Sequence, residues 1–334
     1  MPAAVTVHDV GCPKSMVYGP CGGVRADRRC EVDDRVCPFC LDASVPVWSG
    51  PPRTPRAFDL PTIVIDVRPS VDDPVMLLET AARLASSGYG ALLGEHLDDP
   101  APERPHIAAG VVAAQGVAVV ATITPRDRSE PECSAEVDAL VAAGVRAIHC
   151  VTGDHPACRF GPDLTATFSM DGTRLAALAR SRGAFVTVAE SPASPPVEWR
   201  PERVLSKQHA GADAVILNHA GSVDDLCRFA RRCRDVGVTM PLVAPVPVVT
   251  DHRSAHALTQ FPGLCLPPGL LDAVLHARDP HQAGIDAAVE IGRALLASGE
   301  FRHLNLSGSA SGSGLAERAA VMTAVAESIQ APPG

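Results

Sequence analysis

Apolar positions in this chain come in short runs separated by amphipathic stretches, and from residue 62 onward the two alternate regularly. The runs are rich in Val, Ile and Ala and apolar on both faces, which is the pattern of buried parallel strands. They are Thr62 to Val67, Ala91 to Gly94, Val117 to Thr124, Val145 to Val151, Ala184 to Ala189, Ala214 to Leu217, Leu242 to Val246 and a short eighth at Arg302 to Leu306. Helical spacing follows at Pro74 to Ser87, Pro105 to Gln115, Glu130 to Ala143, Asp171 to Arg182, Pro201 to Ala210, Val223 to Val236, Asp251 to Gln260 and Gly314 to Ile329. An insertion with helical signals at Gly269–Ala277 and Pro280–Ala297 precedes the last strand. Eight strand–helix units over ~270 residues predict an α/β fold, a (β/α)8 TIM barrel spanning residues 62–330. A doubly wound open sheet is the alternative. No GxGxxG follows the first strand, which counts against its dinucleotide-binding form.

The N-terminus breaks this rhythm. Residues 1–45 hold Cys12, Cys21, Cys30, Cys37 and Cys40 among glycines and prolines, as in Gly19-Pro20-Cys21-Gly22-Gly23 and Cys37-Pro38-Phe39-Cys40. So few large apolar residues cannot hold a fold by burial alone, and a metal would supply the missing stability. The expectation is a small Cys-rich metal-binding module, zinc or iron–sulfur, with Cys12, Cys21, Cys30 and Cys37 as ligands and Cys40 spare. A loose Cys-rich arm without metal is the other reading. Residues 46–61, with Pro46, Pro51, Pro52, Pro55 and Pro61, read as a linker.

Composition narrows the function. Apolar residues are 46% and charged residues 20%, ordinary for a globular enzyme, and aromatics only 4%. The net charge of −9 and the absence of a Lys/Arg block argue against a nucleic-acid partner. No apolar run reaches the ~18–20 residues that span a bilayer, so no membrane association is expected. No basic n-region precedes an apolar stretch at the N-terminus, and eleven cysteines without an export signal suit thiols or metal ligands. The expected location is the cytoplasm.

In a barrel of this kind the chemistry sits at the C-terminal lips of the strands. Those lips supply Asp66, Glu95, His96, Thr124, Arg126, Asp154, Glu190, Asn218, His219 and Asn305. Such a mouth suits a heterocycle with a donor–acceptor edge. Asp66 and Asp154 are the candidate proton donor and ring-anchoring carboxylate, since burial there would raise a carboxyl pKa toward acid work. Glu95 and Glu190 read equally well as N-caps of the following helices. His96 and His219 are the residues of this set most easily explained as loop histidines. The Ser307 to Gly314 run reads as a flexible loop, with a phosphate site as its other reading.

Several of these segments, taken in order, resemble the methylenetetrahydrofolate reductases. Asp66-Val67-Arg68-Pro69 stands where that family has a Glu before a Pro. Thr124-Pro125-Arg126-Asp127-Arg128-Ser129 is similar to Thr-Cys-Arg-Asp-Arg-Asn, and Val151-Thr152-Gly153-Asp154-His155-Pro156 to Leu-Thr-Gly-Asp-Pro. Lys207 to Asp213 followed by Leu217-Asn218, then Ala244 to Val248, then His303-Leu304-Asn305-Leu306, continue the match. The segment Cys12-Pro13-Lys14, Gly19 to Val24 and Cys30-Glu31-Val32 resembles a Cys-rich module that accompanies some bacterial members, as a partner subunit or an appended domain.

The resemblance implies reduction of 5,10-methylenetetrahydrofolate to 5-methyltetrahydrofolate with hydride from NAD(P)H, usually through FAD. It assigns Asp66 as general acid, Asp154 as the pterin anchor and Asn218 as the pterin-binding amide. Thr124, Arg126, Glu190 and Asn305 are expected to bind substrate, and Thr152, Gly153 and His155 to bind cofactor. Ser191-Pro192-Ala193-Ser194-Pro195 replaces the family's flavin-side Tyr-Pro-Glu-x-His-Pro, which leaves FAD open. Flavin-free members of the family exist. A methylenetetrahydrofolate-dependent one-carbon transferase and a non-catalytic folate-binding partner subunit are the alternatives. A homo-oligomer or a complex with a partner subunit is compatible with either.

Overall fold

Eight parallel strands close into a barrel in chain order. They are β1 (Ile63–Val67), β2 (Gly90–Leu93), β3 (Val119–Ile123), β4 (Ala147–Cys150), β5 (Val186–Glu190), β6 (Ala214–Leu217), β7 (Leu242–Val248) and β8 (His303–Gly308). β8 closes on β1 with Val64 opposite Asn305 and Ile65 opposite Leu306. This computed structural model describes residues 11–41, 46–57, 59–68, 73–95, 104–261, 263–308 and 314–332. Pro69, His96, Ser309 to Ser313 and residues 1–10 and 42–45 of the predicted module lie outside the described residues.

The helices are α1 (Pro74–Ser87), α2 (Pro105–Ala113), α3 (Glu130–Ala142), α4 (Ala157–Phe160), α5 (Gly172–Ser181), α6 (Arg200–Ala210) and α7 (Val223–Asp235). After β7 come α8 (His252–Thr259), α9 (Leu270–Leu275) and α10 (Pro280–Ala297), and α11 (Leu315–Gln330) follows β8. Ser129 and Ser222 start α3 and α7 with capping boxes completed by Glu132 and Asp225, so donors that the first turn leaves unpaired are satisfied locally. In α7 the residues Leu226, Phe229, Ala230 and Cys233 are buried at helical spacing, which fixes the face turned to the barrel.

Side chains alternate across each strand. Ile63, Ile65, Ala121, Ile123, Ile148, Val188, Leu217, Leu304 and Leu306 join the core between strands and helices. The opposite parity faces the barrel axis. Its lower level is apolar, built from Leu60, Val64, Val120, Ala147, Ile216 and Val243. Its upper level is polar, with Asp66, Thr122, His149, Asn305 and Ser307 lining a cavity.

Two elements differ from the sequence expectation. The apolar pattern ends β7 at Val246, but the strand runs through Pro247 to Val248. Its ladder to β6 covers only Leu242 and Val243, so Pro245 and Pro247 lie where one side of the strand has no partner to donate to. The loop after Asp154 contains the short helix α4, which no hydrophobic periodicity announces.

The N-terminal segment sits on the barrel mouth. The backbone amides of Val17 and Tyr18 both donate to Asp171 Oδ2 at 2.9 Å. Arg200 donates to the carbonyls of Pro20 (3.3 Å) and Cys21 (3.0 Å), and Arg203 to that of Pro20 at 2.6 Å. Ser194 Oγ donates to the Val24 carbonyl at 2.9 Å. A Cβ on Gly263 would stand 1.9 Å from the Gly22 carbonyl oxygen, and one on Gly22 would stand 2.3 Å from Ser191 Oγ. The fit therefore depends on bare backbone at both positions. The residues expected to form a linker strap the outside of the barrel. Arg53 N donates to the His209 carbonyl at 2.9 Å. Arg56 pairs with the buried Asp213 at 2.9 Å while lying over the Phe185 ring at 4.3 Å.

Candidate active site

Between the strand lips and the N-terminal segment lies a cavity of about 860 Å³. Asp66 is at its floor. Period-two alternation turns it inward between Ile65 and Val67, which pack outward. The Asn305 side chain and the Gly308 amide donate to its carboxylate. Its Oδ1 is buried without a hydrogen-bond partner, and so is Asn305 Oδ1. Burial pushes the Asp66 carboxyl up to about 7, against the lowering effect of those two hydrogen bonds. A buried carboxyl with that affinity for its proton is suited to donate it near neutral pH.

Asp154 lines the upper wall. Its Oδ2 accepts from Arg159 Nη2 at 2.9 Å, and Arg159 itself lies over Phe261 at 4.4 Å. Gly153 carries φ +82°, and a Cβ there would come within 2.9 Å of Thr124 Cγ2. The turn that aims Asp154 therefore needs glycine. Thr152 Oγ1 accepts from Gly172 N at 2.9 Å and contacts Met16 Sδ at 3.5 Å. Asn218 is exposed to the cavity, and its Nδ2 donates to Ser191 Oγ at 2.8 Å.

Glu95 is a hub, not a helix cap. It accepts from Thr124 N (3.1 Å) and Thr124 Oγ1 (2.7 Å) and pairs with Arg128 at 2.8 Å and Arg126 at 3.5 Å. Thr124 thus holds the wall through Glu95, while Arg126 Nη1 also reaches the Asp154 carbonyl at 3.4 Å. Glu190 has the outward parity of Val186 and Val188 and is fully committed to α6. It pairs with Arg200 (3.0 Å), Lys207 (2.8 Å) and Arg203 (3.6 Å). Burial works to raise the Glu190 carboxyl, but Arg203, Lys207 and Arg200 outweigh it and hold the group well below its usual range. Burial and the like charge of Arg203 bring Lys207 down to about 8.

Glu190 lines the cavity, with its carboxylate held by the cations of α6. One expectation needs correction of place. His155 does not line the cavity. Its ring is buried and stacked on Phe168 with centroids 6.0 Å apart, and its Nδ1 accepts from Ala157 N. His219 lines the cavity but pairs with Ser307 Oγ, and burial lowers it to about 3, so it is neutral at physiological pH.

Sequence reasoning missed the cavity wall formed by the N-terminal segment. Lys14, Met16, Cys21, Gly22, Gly23 and Glu31 all line the cavity. Lys14 Nζ donates to Glu31 Oε1 at 2.6 Å, and both residues are only 4% exposed. Burial opposes the Lys14 charge, but Glu31, then Cys21 and Asp154, more than offset it and its pKa is raised. One signal was available. Lys14 and Lys207 are the only lysines in a chain with 29 Lys plus Arg, and both stand at this cavity.

None of the eleven cysteines is in a disulfide. Cys12, Cys21, Cys37 and Cys40 share a small apolar cluster with Met16, Val24 and Phe39. Burial raises Cys21 and Cys37 to about 12 and also raises Cys12 and Cys40. Among the described residues no group of three or more His, Cys, Asp or Glu side chains is arranged to hold a metal ion. The predicted ligand set Cys12, Cys21, Cys30 and Cys37 is thus present in one module but not gathered as a centre.

Residues 99–311, more than half of the chain, match the family model described as Methylenetetrahydrofolate reductase. The chain belongs to the methylenetetrahydrofolate reductase family. Residues 4–44 match a second model, described as Methylene-tetrahydrofolate reductase C terminal. Among solved structures, the fold is similar to that of an uncharacterized protein from Clostridium thermocellum that binds two copies of 5-methyl-5,6,7,8-tetrahydrofolic acid. That match has a TM-score of 0.59 at 10% identity and covers 81% of this chain and 95% of the other. Dihydropteroate synthase from Thermus thermophilus also matches, with a TM-score of 0.44 at 18% identity over 80% of this chain and 94% of its own. As a methylenetetrahydrofolate reductase family member, the chain brings together Asp66, Thr124, Arg126, Thr152, Gly153, Asp154, Glu190, Asn218 and Asn305 around one cavity. No helix among the described residues is long and apolar enough to cross a membrane.

Proposed function

We propose that the protein reduces 5,10-methylenetetrahydrofolate to 5-methyltetrahydrofolate with hydride from NAD(P)H. The observation that carries this reading is Asp66, a buried carboxyl with an unpartnered oxygen on the cavity floor and a pKa raised to about 7. Family membership and the folate-binding structural neighbour support the substrate class. The Asp154 carboxylate pairs with the N3–H and 2-amino donors of the pterin, a charge-assisted two-point contact. Asn218 and Asn305 hold further edges of the ring. Asp66 gives its proton to N10 as the bond from N10 to the methylene carbon breaks, leaving an N5 iminium. Hydride adds to that carbon, making the 5-methyl group, and Asp66 is reprotonated from water.

A flavin would sit poorly against the segment after β5. Ser191 is pressed on Gly22, and Ser194 is bonded to Val24. Residues 191–195 offer no aromatic or imidazole group, and no step here runs through a flavin. The wall near Thr152 and Gly153 is the proposed nicotinamide side. The metal reading rests on donor chemistry alone, five cysteines in one short module, and elemental analysis of the purified protein tests it. We place the enzyme in the cytoplasm.

The decisive assay follows NADH or NADPH oxidation with 5,10-methylenetetrahydrofolate labelled in the methylene carbon. Label recovered in 5-methyltetrahydrofolate supports the reading. Label moved to another acceptor makes the protein a one-carbon transferase. Absence of turnover with either nucleotide, with or without added flavin, overturns it.

A further inference from the structure

Lys14 is an unusual residue to find buried at the rim of a substrate cavity. The turn Cys12 to Ser15 carries it, closed by Ser15 N donating to the Cys12 carbonyl at 3.1 Å, with Ser15 itself at φ +49°. Two residues later Met16 touches Thr152, two residues before Asp154, and the amides of Val17 and Tyr18 are fixed on Asp171. The ammonium is thus delivered to the wall that carries Asp154. Glu31 accepts one of its N–H groups, and Gly23 makes room for that carboxylate, since a Cβ there would overlap Glu31 Oε2. The remaining two N–H groups have no protein acceptor among the described residues. A buried donor left unpaired is costly, and the cavity is where a ligand acceptor can reach it.

The charges also say what kind of ligand fits. Lys14 is balanced by Glu31, and Asp154 by Arg159. A wall without net charge is not built for a phosphate. It suits a neutral polar edge that needs an acceptor and a donor side by side. A 2-amino-4-oxo pyrimidine has that edge, with two N–H donors beside one carbonyl acceptor.

We propose that Lys14, carried by the N-terminal module and steadied by Glu31, donates to the 4-oxo group of the pterin while Asp154 holds its N3–H and 2-amino groups. The assignment rests on the folate reading above and adds a specificity residue from outside the barrel. It makes the module part of the substrate site.

The test compares two ligands on the full-length protein by calorimetry. One is 5-methyltetrahydrofolate, with a 4-oxo group. The other is a 4-amino antifolate, whose amino group is a donor at the same place. Wild type is expected to prefer the 4-oxo ligand. In the Lys14→Met/Glu31→Leu double variant, which removes the whole pair and leaves no orphaned charge, the ratio of the two affinities falls at least about tenfold, mainly by loss of 4-oxo binding. The Lys14→Arg variant keeps a donor and keeps the preference. Parallel weakening of both ligands with an unchanged ratio means that Lys14 is only structural and overturns the assignment. If wild type binds neither ligand, the folate reading falls and takes this assignment with it.

Discussion

Asp66 stands on β1 one inward-facing position beyond Val64, the register partner of Asn305 on β8, and Asp66 and Asn305 each present a buried side-chain oxygen with no hydrogen-bond partner to the same cavity. Two acceptors in that state need a donor between them, which is either the proton of Asp66 or an N–H of a ligand. With Asp66 titrating at about 7, kcat/KM is expected to fall with rising pH above about 7. Asp66→Asn should lower kcat by ~10²–10⁴-fold and abolish that limb of the pH profile. A variant with wild-type kcat would remove Asp66 from the acid role.

The same shift has a stability consequence. The folded pKa of Asp66 lies above its ordinary value of 3.8, so the folded chain binds the proton more tightly than the unfolded one. Its stabilising effect is complete below about pH 4 and is lost as pH rises through about 7. The loss is at most about 4 kcal/mol, three pKa units at ~1.4 kcal/mol each. Asp66→Asn should therefore be more stable than wild type at pH 8 and not at pH 4, as urea unfolding at the two pH values will show.

Asp171 does two jobs with two oxygens. Oδ1 caps α5 through Thr173 N and Arg174 N, and Oδ2 receives Val17 N and Tyr18 N. Asp171→Ala should cost ~1–2 kcal/mol for the cap alone and also loosen the module. Asp171→Asn keeps an oxygen for the cap but puts an NH2 against two amide donors. The expected outcome for Asp171→Asn is a nearly intact barrel with a module cut early in limited proteolysis; a module protected as well as in wild type would refute the division of labour.

Glu190→Gln leaves Arg200, Arg203 and Lys207 buried without their counter-charge. A loss of ~3–5 kcal/mol is expected, read from the denaturant midpoint. Arg200 and Arg203 also hold the carbonyls of Pro20 and Cys21, so affinity for folate should fall as well.

Gly22→Ala drives a methyl group to 2.3 Å from Ser191 Oγ. Activity should drop at least tenfold. The Gly22→Ala/Ser191→Ala double variant removes the hydroxyl and leaves a 3.2 Å approach to Cβ, so it should recover part of the loss. Non-additivity of that kind is the signature of direct contact.

The barrel was legible because buried parallel strands write their burial into the sequence as repeated Val/Ile/Ala runs, and β6 matches its predicted span residue for residue. Strand parity was also there to be read. Glu190 shares the register of Val186 and Val188, which places it with the outward-facing residues. What local periodicity cannot carry is the docking of the N-terminal segment, whose bonds join Val17 to Asp171 and Pro20 to Arg203 across 154 and 183 residues of chain. Lys14 was hidden for the same reason, since its partner Glu31 is in the module and its neighbour Asp154 in the barrel. The prolines of β7 look like a stop signal in the sequence, although a strand that has lost one neighbour tolerates them.

The strap pinned by Arg53 and Arg56 turns the docking of the module into an intramolecular equilibrium. A covalent tether gives the mouth an effective concentration of module that is on the order of millimolar for short links and does not change when the protein is diluted. Each individual contact can therefore be weak without the two parts separating. Undocking of the module, by temperature or denaturant, would therefore be a first-order event, independent of how much protein is present.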